Sequence, residues 1–277
     1  MIQTFKDHWP NYLIEGWGLG TFMVSAGVTA SLLYAPTSPV LQWLPNPFLR
    51  DVIMGVTMGL TAIAIIYSPW GKRSGAHINP AVTLTFFHLH KIALWDALFY
   101  ILSQFLGGWL GVLLVVAIVG NPFTDLPVNH VVTIPGVWGW PAALFAEFAL
   151  SFGLMMMVLV TSNRLALSKW TGIFSGMLVA FYIIFEAPIS GMGINPARTF
   201  ASALPAQEWT GFWIYYLAPP LAMLCAAEIY QRITGLQSRS ICCKLCPNGE
   251  TSCISANCCG QCKQLVRPWH SPAEPLD

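Results

Sequence analysis

The segment Ser74-Gly75-Ala76-His77-Ile78-Asn79-Pro80-Ala81-Val82-Thr83 returns without a gap as Ser190-Gly191-Met192-Gly193-Ile194-Asn195-Pro196-Ala197-Arg198-Thr199. Seven of the ten positions are identical. Each copy follows the second of three long apolar stretches, at about 11–34, 51–69 and 93–119 in the first half and 138–162, 170–188 and 211–233 in the second. A helix needs roughly 20 such residues to cross the hydrocarbon core of a bilayer. Three crossings per repeat is an odd number, so the second repeat must enter the membrane upside down relative to the first. The apolar segments near 79–89 and 195–204 are too short to cross. They are expected to dip in from opposite faces. The fold class this predicts is an all-α membrane protein, with six transmembrane helices plus two re-entrant half-helices in an inverted repeat.

Charge supports that reading and orients it. Only 9% of the 277 residues are charged, against about a quarter in soluble domains. A net charge of +1 gives no reason to expect a nucleic-acid partner. The start, Met1 to Pro10, carries Lys6 and Asp7 and runs straight into the first apolar stretch with no small-residue cleavage site, so the first helix is expected to be retained. With six spans, one side collects Lys6, Lys72, Arg73, Lys91, Arg164, Lys169 and the basic residues after the last span; the other holds only Arg50 and Arg198. Positive residues favour the cytoplasm, which places both termini there and suggests the plasma (inner) membrane. The expected organisation is a cytoplasmic N-terminus (1–10), a channel-like domain (11–235, with repeats at about 11–120 and 138–235) and a cytoplasmic cysteine-rich tail (236–277). Further matches join the halves: Gly55 and Gly59 against Gly172 and Gly176, and Glu15 against Glu147.

The repeated motif has a physical reading of its own. Irregular backbone at membrane depth is tolerated only where it is buried in protein or lines a watery cavity. Pro80 and Pro196 push the preceding residue out of helical geometry and suit the first helical position. Asn79 and Asn195 are then N-caps, whose side-chain oxygens accept first-turn N–H groups and leave the amide NH₂ to donate elsewhere. Two half-helices starting at these points aim their positive ends at one central spot. A cation is repelled there, whereas a neutral molecule with a lone pair is accepted, and backbone carbonyls before each Asn offer a line of acceptors. Glu15 and Glu147 are costly inside a membrane. Structural acceptance of half-loop N–H groups is the favoured reading for both, over proton coupling.

The two Asn-Pro-Ala motifs (Asn79, Pro80, Ala81 and Asn195, Pro196, Ala197), the Ser-Gly-Ala-His before the first, Arg198 after the second, Glu15, Glu147 and Gln104 together resemble the aquaporin and glycerol-facilitator family over about 11–235. The resemblance implies a right-handed bundle, a homotetramer with one pore per subunit, and a passive, non-enzymatic channel for water and small neutral solutes. It also implies a four-residue selectivity filter. Arg198 matches its arginine, and counting from Asn195 gives Met192 and Ile183. The helix-two position is Met58, with Gly59 as the alternative because one extra residue precedes the motif. His77 matches a vestibule position. Water-selective members usually carry an aromatic residue and a His where Met58 and Ile183 stand, so this filter is less polar. Thr199, Ala203, Tyr215 and Tyr216 instead resemble the water-channel branch. Rival readings are a glycerol or gas facilitator and a secondary transporter.

Seven of the eight cysteines lie between Cys242 and Cys262. Cys243 with Cys246 and Cys259 with Cys262 form two CxxC pairs that resemble a four-thiolate zinc site; an iron–sulfur cluster would use the same ligands. A thiol redox switch and a tail of reduced thiols are the alternatives.

Overall fold

The structure, a computed structural model, describes residues 1–236 together with Ile241 and Ile254. Among these residues all regular structure is helical. The principal helices are α1 (Ile2–Tyr34), α2 (Pro47–Tyr67), α3 (Pro80–His88), α4 (Leu94–Val119), α5 (Gly139–Ser162), α6 (Thr171–Phe185), α7 (Pro196–Ala206) and α8 (Phe212–Thr234). Five of them, α1, α2, α4, α5 and α8, are long and apolar enough to cross a membrane; α6 is apolar but only 15 residues long. It ends at Phe185; Pro188 has no N–H to continue the hydrogen-bond ladder, and after Glu186 the chain goes on as the single turn Ala187–Ser190. The stretch expected at 170–188 is therefore one helix and one turn.

α1 begins at Ile2, and the expected boundary at residue 11 is not a break. Pro10 sits inside the helix, where an interior proline costs about 3 kcal/mol. Side-chain ties offset that cost. The Tyr12 hydroxyl donates to Asp96 Oδ1 at 2.5 Å, His8 Nδ1 lies 2.8 Å from the same atom, and Phe5, Tyr12 and Phe99 stack together.

Close pairing of helices builds the bundle. α1 runs along α4, α5 along α8, and α2 of the first half along α6 of the second. Small residues set these distances. A Cβ on Gly107 would stand 2.0 Å from the Gly16 carbonyl oxygen, so only glycine fits that crossing. The half-helices pack across the repeats: α7 lies against α4, and α3 against α8. α3 has 9 residues and α7 has 11. At about 1.5 Å per residue, end to end they span about 30 Å, one hydrocarbon thickness.

The exposed surface is apolar along the spans, with Leu102, Leu106, Leu110 and Leu114 forming one stripe of α4. Exposed tryptophans stand near the helix ends, at Trp43, Trp70, Trp138, Trp140, Trp170 and Trp213, where an indole suits the boundary between lipid and water. Ion pairs His8–Asp96, His88–Glu228 and Arg232–Glu228 stand on the face where α1 begins and α8 ends. Ile241 is fully buried in the main hydrophobic cluster, and Leu236 and Ile254 pack against it.

Candidate pore

The two half-loops are built alike. Gly75, Ala76 and Ile78 have positive φ in the first, and Gly191, Met192 and Ile194 have it at the same places in the second. Left-handed backbone costs a β-branched residue roughly 1–2 kcal/mol, so something must hold Ile78 and Ile194. A buried carboxylate does so in each half. Glu15 accepts from the N–H of His77 (3.0 Å) and of Ile78 (2.5 Å), and from Gln104 Nε2 (2.8 Å). Glu147 accepts from the N–H of Gly193 (2.6 Å) and of Ile194 (2.6 Å), and from the Ser190 hydroxyl (2.7 Å). Hydrogen bonds to a charged group contribute about 1.5–3 kcal/mol each, enough to outweigh the strain. Neither carboxylate lines the cavities described below.

A second support is also duplicated, and sequence reasoning missed it as a support. The Tyr100 hydroxyl donates to the Ser74 carbonyl (2.8 Å), and the Tyr215 hydroxyl to the Ser190 carbonyl (2.5 Å). The available signal was the position of each tyrosine in the third span of its half.

Asn79 caps α3 by accepting from Ala81 N–H (2.9 Å), and Asn195 caps α7 by accepting from Ala197 (3.1 Å) and Arg198 (3.2 Å) N–H. The amide groups are less free than the motif alone suggests. Asn79 Nδ2 donates to the Ile194 carbonyl and Asn195 Nδ2 to the Ile78 carbonyl, both at 2.8 Å. This crossed pair of bonds ties the half-loops together at the centre. Each NH₂ has two hydrogens, so one per Asn remains for the cavity.

A cavity of about 90 Å³ runs past both Asn side chains, lined by His77, Ile78, Val82, Val158, Ile194 and others. His77 is held by Thr83, 3.2 Å from Nδ1, and packs on Phe86 and Tyr100. A wider cavity of about 380 Å³ opens towards the far face and includes Met58, Ile183, Met192 and Arg198 in its wall. Met192 and Arg198 line both cavities and mark where they meet. Gly59 lines neither: a Cβ there would lie 2.6 Å from the Gly176 carbonyl oxygen, so this residue faces α6. Arg198 donates from Nη1 to Thr133 Oγ1 at 2.9 Å. Glu186 is buried and absent from both cavity walls. The cysteines Cys243, Cys246, Cys259 and Cys262 lie outside the described residues. Among the described residues there is no cluster of metal-ligating side chains.

Paired half-loops, crossed asparagines and a continuous lining set the frame for comparison with known proteins. Residues 7–230 match the family described as major intrinsic protein. The chain belongs to the major intrinsic protein family. Members similar to it include Aquaporin NIP2-2 of Zea mays, 34% identical over 218 residues (78% of this chain, 72% of the relative). Aquaporin NIP1-1 of Arabidopsis thaliana is 32% identical over 219 residues (78% and 71%). Probable aquaporin AqpM of Archaeoglobus fulgidus is 33% identical over 184 residues (64% and 74%). Among solved structures, the aquaglyceroporin from Plasmodium falciparum matches with a TM-score of 0.65 at 20% identity, covering 82% of this chain and 97% of that one. At that identity the likeness speaks for the fold, an integral membrane bundle of the same kind.

Proposed function

We propose that this protein is a passive transmembrane channel for water and other small neutral solutes that excludes ions and protons. The observation that carries the reading is the meeting of two capped half-helices, each with an Asn amide at the cavity between them. A permeating lone pair meets N–H donors and two positive helix ends, and a cation meets the same field with the wrong sign. Arg198 adds a full positive charge at the junction of the cavities. The names of the plant and archaeal relatives support the same class of cargo.

Met58, Ile183 and Met192 favour a second reading on selectivity. They give the wider cavity an apolar wall opposite one arginine, which suits a solute with a carbon backbone and hydroxyl groups, such as glycerol. A secondary transporter would need a coupling group in the pathway; Glu15 and Glu147 line neither cavity and are engaged by backbone N–H groups, while the titratable groups that do line the cavities, His77 and Asp51, are bonded to Thr83 and Tyr34. The assembly is a homotetramer in the plasma (inner) membrane with both termini cytoplasmic. We propose further that the tail cysteines Cys243, Cys246, Cys259 and Cys262 hold a zinc ion or an iron–sulfur cluster, the two centres that paired CxxC thiolates suit.

Stopped-flow light scattering on proteoliposomes tests the channel. An impermeant osmolyte is expected to shrink them faster than empty liposomes, with no acidification of the lumen under a proton gradient. Glycerol uptake decides between strict water selectivity and the broader cargo. Water and glycerol rates equal to those of empty liposomes would overturn the proposal.

A further inference from the structure

The wider cavity carries two opposite charges that do not meet. Its wall is apolar at Ala26, Ala30, Met54, Val131 and Ile183, and it holds one carboxylate, Asp51, and one guanidinium, Arg198. Among the described residues no ion pair joins them. Asp51 accepts from the Tyr34 hydroxyl at Oδ1, at 2.7 Å. Its Oδ2 takes no bond from the described residues and is not sealed off from the cavity. Arg198 gives Nη1 to Thr133 and keeps Nε and Nη2 for something else. A carboxylate only accepts and a guanidinium only donates, so neither group can satisfy itself.

The two charges stand at different depths. Asp51 lies near the outer start of α2, roughly two turns or about 10 Å of helix before Met58. Arg198 stands at the inner end, where the wider cavity meets the narrower one. Charges beside an apolar wall act on a ligand more strongly than the same charges in water. A simple ion satisfies one of them and is repelled by the other. A small zwitterion satisfies both, with its carboxylate on the guanidinium, its ammonium on Asp51 Oδ2 and its methylenes against the apolar wall. A polyol brings no charge to either end. The zwitterion cannot go further inward, because its ammonium meets Arg198 and the two positive half-helix ends.

We propose that the outer cavity is a binding site for a small amino-acid zwitterion, held between Asp51 and Arg198, and that the bound zwitterion plugs the pore. Tyr34 orients the Asp51 carboxylate so that one oxygen is left for the ammonium. The site adds to the channel a ligand that occludes rather than permeates. Occlusion rests on the channel reading above; binding does not.

The test uses glycine, β-alanine and γ-aminobutyrate, which differ in the separation of their charges, on the parent, Asp51→Asn and Asp51→Glu. Each amino acid is present at equal concentration on both sides of proteoliposomes, and the osmotic shrinkage rate is compared with that of the same variant without it. One length is expected to slow the parent in a saturable way. Asp51→Asn is expected to raise its half-blocking concentration by about tenfold, the factor for losing one hydrogen bond to a charged group. Asp51→Glu keeps the charge on a longer arm and should move the preference to a shorter amino acid, which also shows that a changed side chain there still folds. Butylamine and butyrate, with one charge each, are expected to block more weakly. A second readout needs no permeation: saturation-transfer difference NMR of the amino acid's methylene protons, present with the parent and lost with Asp51→Asn. Shrinkage rates and NMR signals untouched by all three amino acids would overturn the proposal. So would an Asp51→Asn variant blocked at the parental concentration, or butylamine as effective as the best zwitterion, which would mark a simple cation site. A parent as impermeable to water as empty liposomes would overturn the channel reading instead, and the NMR signals would then decide the site.

Discussion

Replacing Glu147 by Gln removes one charge while keeping the side chain's shape. Glu147 Oε1 accepts from the Ser190 hydroxyl and the Gly193 N–H, and Oε2 accepts from the Ile194 N–H. A glutamine amide can keep its oxygen at the first position and satisfy the same two donors. Its NH₂ then faces the Ile194 N–H, donor against donor. The variant loses one hydrogen bond to a charged acceptor, worth about 1.5–3 kcal/mol, and leaves a buried N–H unmatched. The two remaining bonds become neutral and weaker. A net cost of about 3 kcal/mol is the expected sum. The affected residue also has a left-handed backbone, so the released half-loop has a strained conformation to leave.

The assay is thermal unfolding in detergent beside water permeability in proteoliposomes. For a chain of this size 1 kcal/mol corresponds to about 2–4 °C, so Glu147→Gln should lower the midpoint by about 6–12 °C. Water permeability should fall with it, because Ile194 and Asn195 lose their fixed positions beside the cavity. Glu15→Gln should behave likewise, since its Oε2 accepts from Ile78 N–H and Gln104 Nε2. A variant with the parental melting midpoint and parental permeability would refute the claim that the carboxylate holds the half-loop. A parental midpoint combined with loss of a proton-dependent flux would replace it with a coupling role.

Three further outcomes follow from the same geometry, and a fourth from the spacing of the tail cysteines. Gly59→Ala places a Cβ 2.6 Å from the Gly176 carbonyl oxygen, so it should cost about 1–3 kcal/mol of stability, read as a lower melting midpoint, without altering the glycerol-to-water ratio. Met58→Ala, in the wall of the wider cavity, should by contrast raise glycerol uptake in proteoliposomes, and it should also lower the melting midpoint because the side chain is fully buried. Tyr100→Phe and Tyr215→Phe each delete one hydroxyl bond to a half-loop carbonyl and should each cost about 1 kcal/mol; because they serve different half-loops, the double variant should show their sum in the same melts. Elemental analysis of the purified chain should find one zinc per subunit, lost in Cys259→Ser with Cys262→Ser; visible absorption and iron in place of zinc would point to a cluster.

Much of the bundle is legible in the sequence because it rests on local signals. Asn79 and Asn195 announce helix starts through the prolines that follow them, and the long apolar stretches announce spans through length alone. What the sequence leaves open depends on partners far along the chain. Met58 and Gly59 are neighbours on one helix, and only the approach of Gly176 from the other half shows which of them faces the cavity. Ile2 to Pro10 is too polar to count as a span, yet Asp96 gives His8 and Tyr12 a partner and the helix continues through it. Thr133 sits in a stretch with no periodicity, and its hydrogen bonds become visible only when Arg198 and Thr199 are brought to it.

The repeat itself separates scaffold from selectivity. The seven shared positions supply the cap, the turn and the support: Ser74 and Ser190 accept from the N–H two residues on, and Asn79 and Asn195 cap and cross. The three positions that differ are Ala76 against Met192, His77 against Gly193 and Val82 against Arg198, and all six of these residues line the same cavity. An inverted repeat with identical copies would give a pore with the same chemistry at both mouths. Here the first copy puts an imidazole towards the face where α1 begins and α8 ends, and the second puts a thioether and a guanidinium towards the other. Exchanging Val82 and Arg198 between the copies should therefore move the charged constriction to the opposite mouth while leaving the crossed asparagines in place. Because Thr133 accepts from Arg198 beside the second half-loop, the displaced arginine would lack that partner. The exchange should then give a water-permeable channel with a raised glycerol-to-water ratio; a ratio equal to the parent's would mean that the arginine's charge alone, wherever it stands, sets the selectivity.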